Sequence, residues 1–224
     1  MAQASASGLD DANISTALEA AWPALGIDSI WLAEQEKQRA VDAITNYAVW
    51  DAKESATFAT AGLEVGVDHI FTVDDLADFG ITTEDIASVD ATTVPVRVKG
   101  RIDRLERTDA GQYVIVDFKT GKTVPSKKDT QDNAQLALYQ LALSGSDKDT
   151  TPVVKAKLVY LRPRSGSLGE RDQQALDADE RKRWRLALQT AASATSGPTF
   201  HACRNDHCTQ LSLIHISEPT RLRR

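Results

Sequence analysis

The fold is decided by the segment VPVRVKGRIDRLERTDAGQYVIVDFKTGKT, residues 94–123. In its first half apolar and charged residues alternate, which is typical of a β-strand with one charged face. The sequence TDAG predicts a turn, and QYVIVDFK, rich in apolar and β-branched residues, predicts a second strand that returns beside the first. The segment therefore predicts a β-hairpin in which Asp103 ends one strand and Asp117 ends the other.

The last residues of this segment, Gly121, Lys122 and Thr123, also match the end of an ATP-binding phosphate loop. That loop requires a glycine five residues before its Gly-Lys pair, so that successive backbone N–H groups wrap the phosphates. Val116 occupies this position, within a predicted strand. The spacing argues against a nucleotide-binding loop, so Asp117 and Lys119 require a different chemistry.

The hairpin ends combine two carboxylates and an ammonium group. Asp117 and Lys119 are two residues apart and share one strand face, and strand pairing can bring Asp103 beside them. Two neighbouring carboxylates favour a divalent cation, and Mg²⁺ prefers oxygen ligands while it retains water and substrate phosphate oxygens. A lysine beside the cation can orient the attacking water and stabilise charge on the phosphate. The pattern predicts metal-assisted phosphodiester hydrolysis.

Taken singly, the same residues have simpler interpretations. Asp103 with Arg104 also fits an ion pair at the end of a hairpin, and Asp117 with Lys119 also fits a solvated turn. These alternatives stay open for each residue alone.

The flanking sequence predicts an α/β fold, a mixed central sheet of about four strands flanked by helices. Helical spacing of apolar residues opens the chain, and the helix after the hairpin is expected to begin with an N-cap at Asp129 or Thr130. An acidic, threonine-rich segment suggests a surface insertion between strands. Before the hairpin we expect a helical part (residues 10–53), a strand (63–73) and the insertion (74–93). After it we expect a helix (to about 143), a strand (152–163) and a helix (177–195).

The net charge of −6 is unevenly distributed along the chain. The first 96 residues hold 17 acidic and 3 basic side chains, whereas the remaining 128 hold 15 acidic and 23 basic ones. The positive part includes the hairpin and can meet a phosphate backbone, although charge runs more often form a solvated face. No apolar run approaches membrane-spanning length and the N-terminus lacks a signal peptide, so we expect a cytoplasmic protein without a membrane partner.

Three motifs, GRIDR (residues 100–104), VDFKTGK (116–122) and QLALYQLA (135–142), together resemble the RecB-like branch of the PD-(D/E)xK nuclease superfamily. Their order and separations are similar to those of the family over about residues 63–208. The resemblance implies a restriction-endonuclease-like core that uses Mg²⁺, with Mn²⁺ as an alternative. The implied roles are metal ligands at Asp103 and Asp117, a catalytic lysine at Lys119, and residues that line the catalytic site and contact DNA at Gln135 and Tyr139.

Further positions follow from the same resemblance. The segment VDHIF is similar to a strand motif of the family and implies Asp68 as a further metal ligand. Two alternatives stay open: Asp68 also fits an exposed acid on an edge strand, and Glu64 on the same strand face competes for the role. Arg104 and Lys122 are expected to guide the DNA strand. A preceding helix in the family usually carries a histidine, and no histidine occurs before His69. This difference weakens the expectation of full activity.

The C-terminal sequence raises the question of an iron–sulfur cluster. FHACRNDHC resembles the cysteine-containing end of helicase-nucleases that hold such a cluster, which makes Cys208 a candidate ligand and Cys203 incidental. Leu211 stands where the next cysteine is expected. From Leu211, LSLIHISEPTR resembles a translated sequencing adapter, so residues 211–224 are interpreted as a non-native tail. We expect a cluster only in a longer, full-length protein.

The chain is therefore expected to contain an N-terminal helical part (residues 1–61), a nuclease core (62–210) and the tail. The resemblance implies the exonuclease domain of a helicase-nuclease in double-strand break repair. Its substrate would be single-stranded DNA ends, supplied by a helicase motor in the same full-length chain or in a partner subunit. The alternatives are a catalytically silent DNA-binding module of the same fold and a defence-associated nuclease.

Overall fold

The structure, a computed structural model, describes residues 11–25, 30–145, 151–163 and 168–197. The expectations for Cys203, Cys208 and residues 211–224 lie outside these ranges. No helix among the described residues is long and apolar enough to cross a membrane.

Helices and strands are interspersed along the chain, which confirms the predicted α/β class. Short 3-10 turns cover Trp22–Leu25 and Asp74–Phe79. The helices and strands are α1 (Asp11–Ala21), α2 (Ile30–Glu54), β1 (Ala59–Phe71), α3 (Thr83–Ser88), β2 (Val96–Arg107), β3 (Tyr113–Lys119), α4 (Lys127–Gln131), α5 (Ala134–Ser144), β4 (Val153–Tyr160), β5 (Gly169–Gln174) and α6 (Ala178–Ser196).

The strands form one mixed sheet in the order β1-β2-β3-β4-β5. β3 pairs antiparallel with β2 and parallel with β4, while the outer pairs β1–β2 and β4–β5 are antiparallel. A parallel pair requires a crossover connection, and α4 and α5 provide it. The described part has five strands rather than about four. The additional strand, β5, has the polar sequence GERDQQ, which gives no strand pattern by itself.

Helices cover both faces of the sheet. On one face, α5 contributes Leu136 and Tyr139 to a cluster with Ile115 of β3. On the other face, α2 contributes Tyr47 and Trp50, and these pack with residues of β3 and β4. Trp50 is fully buried, as the helical spacing predicts. We call these the α5 face and the α2 face of the sheet.

The segment between β1 and β2 is a small packed layer as well as an insertion. Thr82 and Asp85 form a capping box that starts α3. Leu76, Ile81 and Ile86 form a separate buried cluster, against which a residue of α6 packs. An acidic composition therefore did not prevent this segment from burying apolar side chains.

The helix after the hairpin differs from the expectation. The predicted N-cap at Asp129 or Thr130 is wrong, because both residues lie inside α4, whose N-cap is Ser126. A second helix, α5, begins after Asn133, whose side chain accepts the N–H of Leu136 at 3.0 Å. This break places Gln135 in the first turn of α5.

Candidate active site

β2 and β3 bring two carboxylates together at one end of the hairpin ladder. Their last pair there is Arg104 with Val116, and continuing this register by one residue places Asp103 opposite Asp117. Oδ2 of Asp103 accepts the backbone N–H of Phe118 at 2.7 Å. The sequence prediction that pairing joins these two acids is consistent with this geometry.

Asp117 lies on the α5 face in a nearly dry environment, with only 3% of the residue exposed. Its Oδ2 is 2.7 Å from Nζ of Lys119, and its Oδ1 accepts a hydrogen bond from Nε2 of Gln135 at 2.7 Å. Burial raises the pKa of the Asp117 carboxyl above its ordinary value, Lys119 opposes this shift, and the charge of Asp103 adds to it. A cation near both acids would favour their charged forms.

Gln135 connects the acid to the lysine. Its Oε1 accepts a hydrogen bond from Nζ of Lys119 at 2.6 Å, while its Nε2 also lies 3.1 Å from the hydroxyl of Tyr139. Tyr139, four residues further along α5, donates its hydroxyl proton to the backbone carbonyl of Arg101 at 2.8 Å. The structure thus joins four of the predicted residues, Asp117, Lys119, Gln135 and Tyr139, in one hydrogen-bonded chain.

Gly100 explains why the motif GRIDR begins with glycine. A Cβ atom at this position would lie 2.9 Å from Cε1 of Tyr139, which is closer than van der Waals contact allows. The missing side chain lets the Tyr139 ring lie against β2, where its hydroxyl reaches Arg101.

The donor set at the hairpin end fits Mg²⁺. Asp103 and Asp117 offer hard oxygen ligands, and Mg²⁺ commonly uses one or two carboxylates while water and phosphate oxygens complete its octahedron. Across the described ranges, no group of three or more His, Cys, Asp or Glu side chains is placed to hold a metal.

Asp68 is not brought to these two acids. It lies opposite Lys99 on the β1–β2 ladder, four residues along β2 from Asp103, which corresponds to about 13 Å of strand. Arg97 donates to both of its carboxylate oxygens, at 2.7 and 2.5 Å, and this pairing lowers the pKa of Asp68.

Glu64, the alternative to Asp68, lies at the level of Asp103. The neighbouring pairs are Leu63 with Arg104 and Val65 with Ile102, so Glu64 faces Asp103 across the ladder. Its backbone φ is 52°, in the left-handed region that non-glycine residues rarely adopt. Its Oε2 lies 3.4 Å from Nη1 of Arg101. Along the strands, Glu64 therefore lies nearer to Asp103 than Asp68 does. Its carboxylate lies beside Arg101.

The expected contact of Arg104 with DNA is wrong. Arg104 has no exposed surface, forms ion pairs with Asp51 and Glu106, and lies 5.1 Å from the ring centre of Trp50. A side chain without exposed surface cannot reach a DNA strand. Arg104 instead ties α2 to β2 directly behind Asp103.

Lys122 lies where the sequence places it, on the surface. It is exposed in the turn that follows β3, three residues after Lys119. Contact with DNA stays a prediction for this residue.

Tyr160 was missed by the sequence analysis. It ends β4, where the parallel register pairs it with Lys119. Burial raises the pKa of the Tyr160 hydroxyl, and the charges of Lys119 and Asp117 both act on it. Alternation within KLVY predicts the face of Tyr160 on its own strand, but the sequence does not give the register between β3 and β4.

A wide groove lies away from this site, between α2, α4 and the outer strands β4 and β5. Lys53, Lys155 and Lys157 line it, and each forms an ion pair with an acidic residue of the same groove. Lys127 and Arg171 also line the groove, and neither forms an ion pair with an acidic residue in the part of the chain that the structure describes. The predicted site residues, Asp117 among them, do not line this groove.

The chain was compared with family models, curated proteins and solved structures. A family model described as the PD-(D/E)XK nuclease superfamily matches residues 2–210. A search of curated proteins found no match. Among solved structures, one titled "Crystal structure of SSO0001" aligns with a TM-score of 0.39 and 17% sequence identity, covering 74% of this chain and 63% of that chain. This chain thus spans less than two thirds of the length of that solved chain.

The family match covers most of the chain, including the hairpin that carries both acids and the helix that carries Gln135. The chain belongs to the PD-(D/E)XK nuclease superfamily.

Proposed function

We propose that this protein is a deoxyribonuclease that hydrolyses DNA phosphodiester bonds with a divalent cation. The observation that carries the proposal is the position of Asp117, which contacts Lys119 and Gln135 and lies beside Asp103. Two acids can hold a divalent cation, and a neighbouring amine can stabilise charge on the phosphate oxygens. The family match supports the same reaction class.

Asp103 and Asp117 would hold Mg²⁺, or Mn²⁺ in its place. When bound, the cation would supply Lewis acidity toward the phosphate and lower the pKa of a coordinated water. The ammonium group of Lys119, whose side chain is 32% exposed, can orient the attacking water and stabilise negative charge on the phosphate oxygens.

Gln135 and Tyr139 would position Lys119 and Asp117 relative to each other. Gln135 fixes Lys119 and Asp117 relative to each other, because one amide group binds both. Tyr139 in turn holds the Gln135 amide and the backbone of β2. A lysine and an acid held in this way need little rearrangement when a phosphate arrives.

We further propose that the enzyme is the exonuclease domain of a RecB-like helicase-nuclease in double-strand break repair. The three motifs GRIDR, VDFKTGK and QLALYQLA occur in the family order, which supports this narrower proposal. The substrate would be single-stranded DNA ends delivered by a helicase motor, with the exposed Lys122 among the phosphate contacts. A defence-associated nuclease would use the same site.

One observation favours a catalytically silent DNA-binding module instead. Glu64 and Asp68, the two further acids on β1, are both occupied by arginines of β2, so no third carboxylate joins Asp103 and Asp117 in the described part of the chain. Both an enzyme and a silent module would bind DNA, but only the enzyme would hydrolyse it.

The test compares purified wild type with Asp117→Asn on labelled single-stranded DNA, in Mg²⁺, in Mn²⁺ and in EDTA. Asp109→Asn, an exposed acid in the hairpin turn, is the matched control. The proposal expects cation-dependent degradation by wild type and Asp109→Asn, and its loss in Asp117→Asn. Equal degradation by wild type and Asp117→Asn, or none by wild type with either cation, would reject the enzyme.

A further inference from the structure

Tyr160 stands beside the lysine of the site. β3 and β4 are parallel, and Lys119 and Tyr160 are the last residue pair of their ladder. Neighbouring strands lie about 4.8 Å apart, and paired residues project from the same face of a sheet. The tyrosine therefore borders the α5 face at the point where Lys119 and Asp117 meet.

Two glycines lie close to Tyr160. A Cβ atom at Gly121 would lie 3.8 Å from Cε1 of Tyr160, and a Cβ atom at Gly169 would lie 3.3 Å from its Cβ. The turn after β3 and the start of β5 thus approach the tyrosine closely. The Tyr160 side chain is half-buried at the edge of the site.

The hydroxyl of Tyr160 is available to a ligand. Within the described ranges it has no hydrogen-bond partner, whereas the hydroxyl of Tyr139 binds Arg101 and that of Tyr113 binds Arg107. The Tyr160 oxygen is not among the buried polar atoms that lack a partner, so it keeps accessible surface and a bound molecule can reach it. Phosphate oxygens are acceptors only, so they match this donor.

We propose that the Tyr160 hydroxyl donates a hydrogen bond to a non-bridging oxygen of the DNA phosphodiester bound next to Lys119. This inference rests on the proposed function for the identity of the ligand. Lys119 already contacts Asp117 and Gln135, so a phosphate at this point benefits from a second donor. Tyrosine supplies that donor without adding charge, and it remains protonated at neutral pH.

The test measures binding and avoids hydrolysis. Fluorescein-labelled single-stranded oligothymidylates are titrated with the 224-residue protein in EDTA, and binding is followed by fluorescence anisotropy. One set of oligonucleotides carries a single neutral methylphosphonate linkage, moved along the strand one position at a time. The proteins are wild type, Tyr160→Phe, Tyr160→Ala and the control Tyr113→Phe, which removes a buried hydroxyl at the far end of β3.

The proposal expects Tyr160→Phe to weaken binding of the unmodified strand about tenfold, as expected for one hydrogen bond to a charged group. At one linkage, wild type and Tyr113→Phe should discriminate against methylphosphonate, and Tyr160→Phe should lose that discrimination. Coupling of this kind identifies the pair of groups that interact. The thermal unfolding midpoint of Tyr160→Phe should equal that of wild type, because the Tyr160 hydroxyl has no hydrogen-bond partner among the described residues.

Three results would overturn the inference. The first is full discrimination by Tyr160→Phe at every linkage. The second is wild-type binding by Tyr160→Phe together with weak binding by Tyr160→Ala, which would indicate base stacking on the ring. A wild-type protein that binds no DNA in EDTA or in Ca²⁺ would also overturn it. The nuclease proposal fails on a different result, turnover that is absent or independent of Asp117, so the two failures are distinguishable.

Discussion

Arg104 follows Asp103 directly along β2, yet the two side chains serve opposite faces of the sheet. Asp103 binds the backbone of Phe118 near Asp117 on the α5 face, whereas Arg104 is buried against Asp51 and Trp50 of α2. One acid of the site and the helix behind the sheet are therefore joined through two consecutive residues.

This relationship predicts that Arg104→Met destabilises the protein strongly. The change leaves Glu106 buried without its guanidinium partner and removes the partner of Asp51, and breaking a buried ion pair in this way costs about 3–5 kcal/mol. Urea unfolding followed by tryptophan fluorescence measures the loss. Arg97→Met removes an exposed ion pair with Asp68 and serves as the control, with little or no change expected. Equal midpoints for the two variants would contradict the role assigned to Arg104.

Glu106 makes the stability of the fold depend on pH. Burial raises the pKa of Glu106 to about 7, although Arg104 opposes the shift. The folded state therefore holds this proton more tightly than the unfolded state, whose glutamate titrates near the ordinary value of 4.5. Its contribution to stability is complete below pH 4.5 and is lost as the pH rises through 7, a decrease of about 3 kcal/mol in the free energy of unfolding.

Urea unfolding of wild type and Glu106→Gln at a series of pH values between 4.5 and 7.5 measures this decrease. The variant should show a smaller fall in stability with rising pH than wild type. Asp117 contributes with the same sign because its pKa is also raised, so the comparison is repeated in an Asp117→Asn background. Parallel curves for the proteins with and without Glu106 would show that this carboxyl does not titrate as expected.

Gln135→Leu should weaken the site without unfolding the protein. The variant loses the amide that binds both Lys119 and Asp117, so the two side chains lose their fixed relative position. Losing such a supporting group typically costs about 10–100-fold in activity or metal affinity. Nuclease rates over a range of Mg²⁺ concentrations, with Gln38→Leu on the exposed surface of α2 as control, measure the effect. Identical Mg²⁺ dependence in both variants would count against the proposed arrangement.

Gly100→Ala should displace Tyr139. The new methyl group would lie 2.9 Å from the ring, and overpacking of this kind costs about 1–3 kcal/mol. Gly66→Ala on β1 is the matched control, because nothing lies within 4 Å of its Cβ position. Thermal unfolding and nuclease rates should both fall for Gly100→Ala and stay near wild type for Gly66→Ala. A Gly100→Ala protein with the wild-type midpoint would mean that the Tyr139 ring moves freely.

The parts of the site that follow from local periodicity were predictable from the sequence. A period of two places Asp117 and Lys119 on one face, and a spacing of four places Gln135 and Tyr139 on one side of a helix. The hairpin between Asp103 and Asp117 followed from its turn and its alternation. These relationships depend on residues that are close in the chain.

The rest depends on contacts between distant residues. The alternating charges of GRIDRLER suggested one solvated face, but Ile102 and Leu105 both enter the cluster under α5, so the alternation breaks between them. Glu64, with its left-handed backbone, lies across the ladder from this break. Arg104 and Glu106 consequently point toward α2, where Asp51 forms an ion pair with Arg104. The periodicity of the sequence does not reveal where the alternation of β2 breaks, nor that Asp51 pairs with Arg104.

The packing of α2 indicates that a nuclease unit able to fold by itself must include this helix. The helix supplies Tyr47 and Trp50 to one side of the sheet and the acids that neutralise Arg104 and Lys157. A protein shortened to start at residue 62 would expose the α2 face of β3 and leave the buried Lys157 without its ion-pair partner Glu54. Arg104 would lose Asp51 and keep its ion pair with Glu106. Truncation experiments that aim for a minimal catalytic fragment should therefore retain the chain from before Ile30 onward.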